Sequence, residues 1–184
     1  MRITGGEARG QVLKSPKSKH TRPTTDMVRS AVFGLLRDAP DWSRVLDLFA
    51  GSGALGIEAL SRGAEWADFV DQQSQACAII KDNLERTGLA GRAHVYCTGA
   101  KGALGFLKEK YGIIFLDPPY AQPALINSVL EQLAGSGSLA GGVRIVVCHA
   151  TRSPLEPGYR GLIKVKERQY GDTTVTIFMK EATT

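Results

Sequence analysis

Residues 117–120 read Asp-Pro-Pro-Tyr and follow the apolar run Ile113-Ile114-Phe115-Leu116. A carboxylate, two rigid prolines and an aromatic ring at a strand end can clamp a planar NH2 group. Each proline fixes its own φ and removes a backbone donor, so the segment is stiff and its carbonyls stay available as acceptors. Asp117 and the Pro118 carbonyl can both accept from one exocyclic amine, and Tyr120 can lie flat against the base that carries it. Two prolines after a strand also make an ordinary turn, so the meaning of the tetrapeptide, Pro119 included, depends on its neighbours.

The second constellation runs from Asp47 through Leu48-Phe49-Ala50 to Gly51-Ser52-Gly53-Ala54-Leu55-Gly56. Gly51, Gly53 and Gly56 form a G-x-G-x-x-G that follows a strand and opens a helix, and Asp71 lies twenty residues beyond Gly51. Glycines let a ligand approach the backbone, and an acid at the next strand end can hold ribose hydroxyls. Asp47 bears on which nucleoside. A carboxylate facing a pyrophosphate is repelled, whereas one facing a cationic amine is stabilised. The pattern therefore favours S-adenosylmethionine, which has no phosphate and carries an ammonium group, over NAD.

The elements that must position these residues alternate from residue 44 onward. Strands are expected at Val45–Phe49, Ala67–Val70, Ala93–Cys97, Ile113–Leu116 and Val143–Cys148, and helices at Ala54–Ser61, Ser74–Thr87, Ala100–Lys110 and Pro123–Leu133. Strict alternation with continuously apolar strands implies a parallel sheet covered on both faces. A Gly/Ser-rich loop is expected from Gly135 to Gly142. Leu162–Arg168 and Thr173–Met179 have no room for a crossover helix between them and should pair as an antiparallel hairpin. Upstream, Thr24 or Thr25 caps a helix reaching about Arg37, with Val28, Ala31, Val32, Leu35 and Leu36 on one stripe. Residues 1–24 read as a small hairpin and a basic loop.

With 184 residues, 43% of them hydrophobic and 22% charged, the chain is expected to form one domain, with residues 1–40 as a basic N-terminal extension. Residues 1–23 hold Arg2, Arg9, Lys14, Lys17, Lys19 and Arg22 against Glu7 alone, which accounts for the whole net charge of +5. A basic arm on a balanced body suits an anionic partner such as nucleic acid. No signal peptide and no apolar stretch near ~18 residues is visible, so no membrane span is expected. Cys77, Cys97 and Cys148 are odd in number and contain no C-x-x-C pair, which argues against a disulfide framework or a metal site and for a cytoplasmic setting.

Asp47–Gly56, Asp71 and Asp117–Tyr120 together resemble the class I S-adenosylmethionine-dependent methyltransferases that modify exocyclic amines of bases. More closely, Gly5-Gly6, Gly10, Arg22-Pro23-Thr24-Thr25-Asp26, Val28-Arg29, Phe33, the run Leu46–Ala64, Leu116–Tyr120 and Tyr170-Gly171-Asp172-Thr173 resemble the RsmD family. That resemblance implies a Rossmann-like α/β fold with a mostly parallel seven-stranded sheet, a C-terminal antiparallel hairpin and helices on both faces. It implies methyl transfer to the N2 amine of a guanine in bacterial 16S ribosomal RNA, with free ribosomal RNA or the small subunit as partner. Nothing in the chain calls for more than a monomer.

The candidate catalytic residues are Asp117, Pro118, Pro119 and Tyr120. The candidate cofactor contacts are Asp47, Phe49, Ala50, Gly51, Ser52, Gly53, Asp71, Gln72, Gly99, Ala100 and Asp117. Arg9, Lys14, Lys17, Lys19, Arg22, Thr24 and Arg29 are the candidate RNA contacts. Two stretches depart from the resemblance. Cys97-Thr98-Gly99-Ala100 has no carboxylate or amide to meet an adenine, so backbone near Gly99-Ala100 would have to serve. Val147-Cys148-His149 stands where the family usually has a Glu. Cys148 and His149 are neighbours on a strand and point to opposite faces, so they should not form a nucleophilic dyad. His20 and His94 read as surface residues, and Trp42 and Trp66 as packing residues. Rival readings are amino-methylation of adenine N6 or cytosine N4 in DNA or another RNA, an NAD-dependent oxidoreductase, and a catalytically silent RNA-binding module.

Overall fold

Residues 1–16 and 25–180 are described by a computed structural model. The first helix, α1 (Asp26–Leu35), is capped by Thr25, whose hydroxyl accepts from the Val28 amide. The sheet strands are β1 (Arg44–Asp47), β2 (Trp66–Asp71), β3 (Ala93–Cys97), β4 (Tyr111–Leu116), β5 (Leu139–Ala150), β6 (Gly158–Tyr159), β7 (Leu162–Tyr170) and β8 (Thr173–Lys180). The connecting helices are α2 (Ala54–Ser61), α3 (Ser74–Thr87), α4 (Ala100–Phe106) and α5 (Pro123–Ala134).

The strand order is β3-β2-β1-β4-β5-β8-β7-β6. β3 through β5 run parallel, and β8, β7 and β6 each pair antiparallel to their neighbours. Among the described residues the sheet thus has eight strands rather than the expected seven. The extra one is β6, a two-residue strand on the edge of β7, too short to leave a periodic signal. β5 also begins earlier than expected, because Leu139 is buried and pairs with Tyr111 before the ladder shifts between Leu139 and Arg144.

Successive residues on the parallel strands feed two separate cores, as the period of two requires. Val45, Ile113 and Phe115 pack with α1, α2 and α3, while Leu46, Ile114 and Leu116 pack with α4 and α5. Ile3, Ala8 and Leu13 of the N-terminal segment belong to the first core. Gly56 permits one of these contacts: a Cβ there would overlap the Phe69 ring, so α2 lies against β2 only with glycine at this point. Trp42 and Trp66 are half-buried in packing positions.

β1 is flanked by β2 on one side and β4 on the other, so the chain reverses direction across the sheet at this strand. In open α/β sheets the crevice beyond the carboxyl ends of the strands at such a point is where ligands bind. Among the described residues no helix is long and apolar enough to cross a membrane, and no group of three or more His, Cys, Asp or Glu could hold a metal ion.

Candidate functional site

A cleft of about 630 Å³ opens over the ends of β1, β2, β3 and β4. Asp47, Phe49, Ala50, Gly51, Ser52, Asp71, Gln72, Gly99, Ala100, Asp117, Pro118, Pro119 and Tyr120 all line it. The two constellations separated by sixty residues in sequence therefore face one space. Gly53 is the exception among the candidate cofactor residues. It sits behind the loop, where φ of +80° and Ile57 and Ile80 at 3.2 Å from any added Cβ require glycine for the turn into α2.

The loop after β1 is held from several sides. The Leu48 amide donates to the Phe115 carbonyl (3.0 Å) and the Ala50 amide to the Val70 carbonyl (3.0 Å). Asp71 accepts from the Gly51 amide at 2.9 Å and, with its other oxygen, from the Gln73 amide at 2.9 Å. Its carboxylate is thus oriented by backbone before any ligand arrives, and each oxygen keeps a lone pair for a hydroxyl donor. Asn83, buried on α3, donates to the Ser52 and Lys14 carbonyls and accepts from the Lys14 amide, fastening the N-terminal segment to the cofactor loop. That places Met1, Ser15 and Pro16 on the cleft wall. No composition or period in the sequence marks Asn83 or these three for such a place.

Asp47 is 1% exposed. Its Oδ2 accepts from the Gly56 amide at 3.0 Å, while Oδ1 has no hydrogen-bond partner among the described residues. Burial raises the Asp47 carboxyl to about 7; the Gly56 amide pulls it down, and the charges of Asp117 and Asp71 push it further up. Asp71, Asp117 and, once ionised, Asp47 are close enough to feel one another and make the floor of this cleft anionic. Such a floor suits a bound cation and repels a pyrophosphate. A buried acceptor with an idle oxygen fits a ligand carrying an ammonium group, so the residues present fit S-adenosylmethionine.

After β4, Pro118 is buried, Asp117 and Tyr120 are half-buried and Pro119 is exposed. The Pro119 carbonyl accepts from the Gln122 amide at 3.2 Å, which fixes the bend into α5. The Tyr120 hydroxyl lies 2.8 Å from the Thr173 hydroxyl, so the ring is tethered to the start of β8. Gly99 precedes α4 with extended backbone, and Ala100 is buried at the first turn of that helix. The rim carries two exposed cations, Lys101 and Arg152.

The basic arm fares unevenly. Lys17, Lys19, Arg22, Thr24 and His20 lie outside the described residues. Arg9 is exposed, and Lys14 is half-exposed and paired with Asp82 at 2.8 Å. Arg29, expected to contact RNA, is 0% exposed. Its Nε donates to Glu58 at 3.0 Å, and its Nη2 donates to Asp26 at 2.9 Å and to the Arg2 carbonyl. It joins α1, α2 and the N-terminal segment and cannot reach a phosphate. The helical stripe accounts for this: Phe33, one turn on, is buried on the same face.

Cys148 and His149 turn apart. Cys148 packs in the first core, where burial and the charges of Asp117 and Asp47 push its thiol well above the ordinary value. His149, also buried, places Nε2 at 2.9 Å from the Thr176 hydroxyl and Nδ1 at 3.0 Å from the Ser153 carbonyl. His94 is exposed and packs beside Tyr96.

Comparison with known proteins accords with this arrangement. The family model described as Conserved hypothetical protein 95 matches residues 1–179. YlbH of Bacillus subtilis is 39% identical over 183 residues, covering 98% of this chain and 99% of that protein. Ribosomal RNA small subunit methyltransferase D of Escherichia coli is 34% identical over 182 residues, covering 99% of this chain and 91% of that one. The solved structure of the Escherichia coli yhhF protein superposes with a TM-score of 0.87 at 32% identity, covering 100% of this chain and 99% of that one. By sequence and by fold the chain belongs to the Conserved hypothetical protein 95 family, the RsmD family.

Proposed function

We propose that the cleft binds S-adenosylmethionine and directs its methyl group to the exocyclic N2 amine of a guanine in small-subunit ribosomal RNA. The observation that carries this reading is the meeting of Asp47, Asp71 and Asp117–Tyr120 around one cleft. Relatives named as ribosomal RNA methyltransferases over nearly the full chain support the RNA class. The anionic floor disfavours a dinucleotide.

When bound, the cofactor supplies an electrophilic methyl on a sulfonium. Asp47 Oδ1 would take its ammonium group, Asp71 its ribose hydroxyls, and the backbone at Gly99-Ala100 the adenine edge. A base amine is a poor nucleophile, because its lone pair is delocalised into the ring. Asp117 and the Pro118 carbonyl would accept its two hydrogens and turn the lone pair toward the methyl. Asp117 would then stabilise the positive charge that grows on nitrogen as the N–C bond forms and the S–C bond breaks, with S-adenosylhomocysteine leaving and the surplus proton of the amine passing to water. Tyr120, held by Thr173, would stack on a base withdrawn from its helix or loop.

Incubating undermethylated small subunits and free 16S RNA with labelled cofactor, then mapping the product, tests this directly. Label in a guanine as N2-methylguanine is expected. Label at adenine N6 or cytosine N4 would reassign the base, and no label in RNA would sink the reading.

A further inference from the structure

The cleft's charge is layered. Its floor holds Asp47, Asp71 and Asp117, whereas Lys101 and Arg152 stand at the rim. Lys101 and Arg152 are alike in being exposed and, unlike Lys14, which Asp82 engages, in lacking an ion pair among the described residues. Arg152 is the one that follows β5, on the Tyr120 side. It is also carried on a loop whose backbone is fastened at both of its neighbours. The Thr151 amide donates to the Asp172 carbonyl at 2.9 Å, and the Ser153 amide donates to the Ala150 carbonyl at 2.9 Å. The Ser153 carbonyl in turn lies 3.0 Å from Nδ1 of the buried His149, and the Thr151 hydroxyl lies 2.9 Å from that of Thr174.

A long cation left unpaired on a stapled loop, at the mouth of an anionic cleft, is an arrangement for an anion that stays outside. Arg152 shares its wall with the aromatic residue that would meet the base. Tyr120 is bonded to Thr173, and Thr173 pairs across the sheet with Ala150, two residues before Arg152. We propose that Arg152 grips a backbone phosphate beside the target nucleotide, setting the register in which that base reaches Tyr120 and Asp117. This inference rests on the RNA-methyltransferase reading above. It also gives His149 a part: the imidazole holds the loop that aims the guanidinium. Phosphate contacts position a nucleic acid without reading its sequence, and each one lost makes binding less dependent on salt.

Steady-state methylation of undermethylated small subunits by Arg152→Ala and Arg152→Lys, at several salt concentrations, tests this. Arg152→Ala should raise KM for the RNA substrate roughly tenfold with kcat little changed, as expected for one lost charge-assisted contact. Its plot of log kcat/KM against log salt should be shallower by ~0.7–0.9, the slope of one phosphate contact, while Arg152→Lys keeps the wild-type slope. Calorimetric affinity for S-adenosylhomocysteine should be unchanged in both. A wild-type KM and salt slope in Arg152→Ala would overturn the inference. So would a loss of S-adenosylhomocysteine affinity, which would place the guanidinium on the cofactor. Absence of methylation by the unaltered protein would instead remove the functional reading itself.

Discussion

Two buried carboxylates lie on either side of the same helix and live in opposite circumstances. Glu58, within α2, receives the Thr4 amide and hydroxyl, Arg29 Nε and Arg62 Nε. Burial would raise its carboxyl, but these donors outweigh burial and hold it below the ordinary value. Asp47, just before α2, receives one amide, keeps one oxygen idle and is pushed up to about 7. A saturated buried carboxylate locks elements together. An unsaturated one costs stability in the resting protein and is open to a proton or to a ligand that donates to it, a cationic donor most of all. The cleft side of α2 thus leaves an acceptor open, as the proposed binding requires, and the far side holds the N-terminal segment in place.

That contrast breaks most sharply at Asp117, which shares the cleft floor with Asp47. Asp117→Ala removes the acceptor proposed to face the amine and its growing charge, so kcat should fall by at least ~10²–10³-fold, the scale of one lost electrostatic contact in a transition state. Calorimetry should find S-adenosylhomocysteine affinity within a few-fold of wild type, and the melting temperature should not drop. Normal turnover by this variant would dismiss the clamp.

On the far side of α2 the loss should be structural. Arg29→Ala strips Glu58 of one donor and leaves the carboxylate buried beside a void. Breaking one partner out of a buried ion pair costs ~3–5 kcal/mol. Urea unfolding should show a loss of that size, with cofactor affinity preserved where the variant remains folded. A near-wild-type midpoint would mean that water or a neighbour replaces the guanidinium.

Asp47 offers a smaller but signed effect. Its carboxyl is raised on folding, so between about 4 and 7 the folded state binds a proton that the unfolded state has released. Its contribution to the free protein's stability is therefore lost as pH rises through about 7. A cationic ligand prefers the ionised carboxylate, so affinity for S-adenosylmethionine should rise with pH up to about 7, by at most ~tenfold per pH unit, with proton release on binding. Asp47→Asn should bind ~10–100-fold more weakly, as for a lost hydrogen-bonded charge contact, without that pH slope. Calorimetry in buffers of different ionisation heat reads both. A wild-type affinity independent of pH from 5 to 8 would argue that Asp47 does not meet the ammonium group.

The same contrast explains what the sequence could disclose. α2 and α3 and the strand β3 fall at the residues that periodicity and glycine punctuation indicate, because those signals act within one element. Asp47, Gly51, Asp71 and Asp117 were legible because each sits at a strand end next to a marked turn. Arg29 was not: its burial depends on Glu58, 29 residues away, and a basic side chain on a helix reads as solvent-facing until its partner is known. Arg152 was missed for the complementary reason. An exposed arginine in an aperiodic loop carries no signal until the sheet order brings β5 and β8 against the Asp117–Tyr120 wall.

Thr173 is the mildest test of the cleft wall, and the one that separates aim from chemistry. Its hydroxyl meets the Tyr120 hydroxyl at 2.8 Å, while its backbone pairs with Ala150 and Tyr170 regardless of side chain. Thr173→Val keeps the shape and the β-branched fit to the strand but deletes that bond. Tyr120→Phe deletes it from the other end and keeps the stacking face. If the bond only aims the ring, each variant should lose about 0.5–1.5 kcal/mol in kcat/KM, or roughly 2–12-fold, the net worth of one hydrogen bond. The double variant should then be no worse than either single, because both remove the same contact. Strictly additive losses would instead mean that the two hydroxyls serve different partners, and the ring would owe its orientation to the bend at Pro118-Pro119 alone.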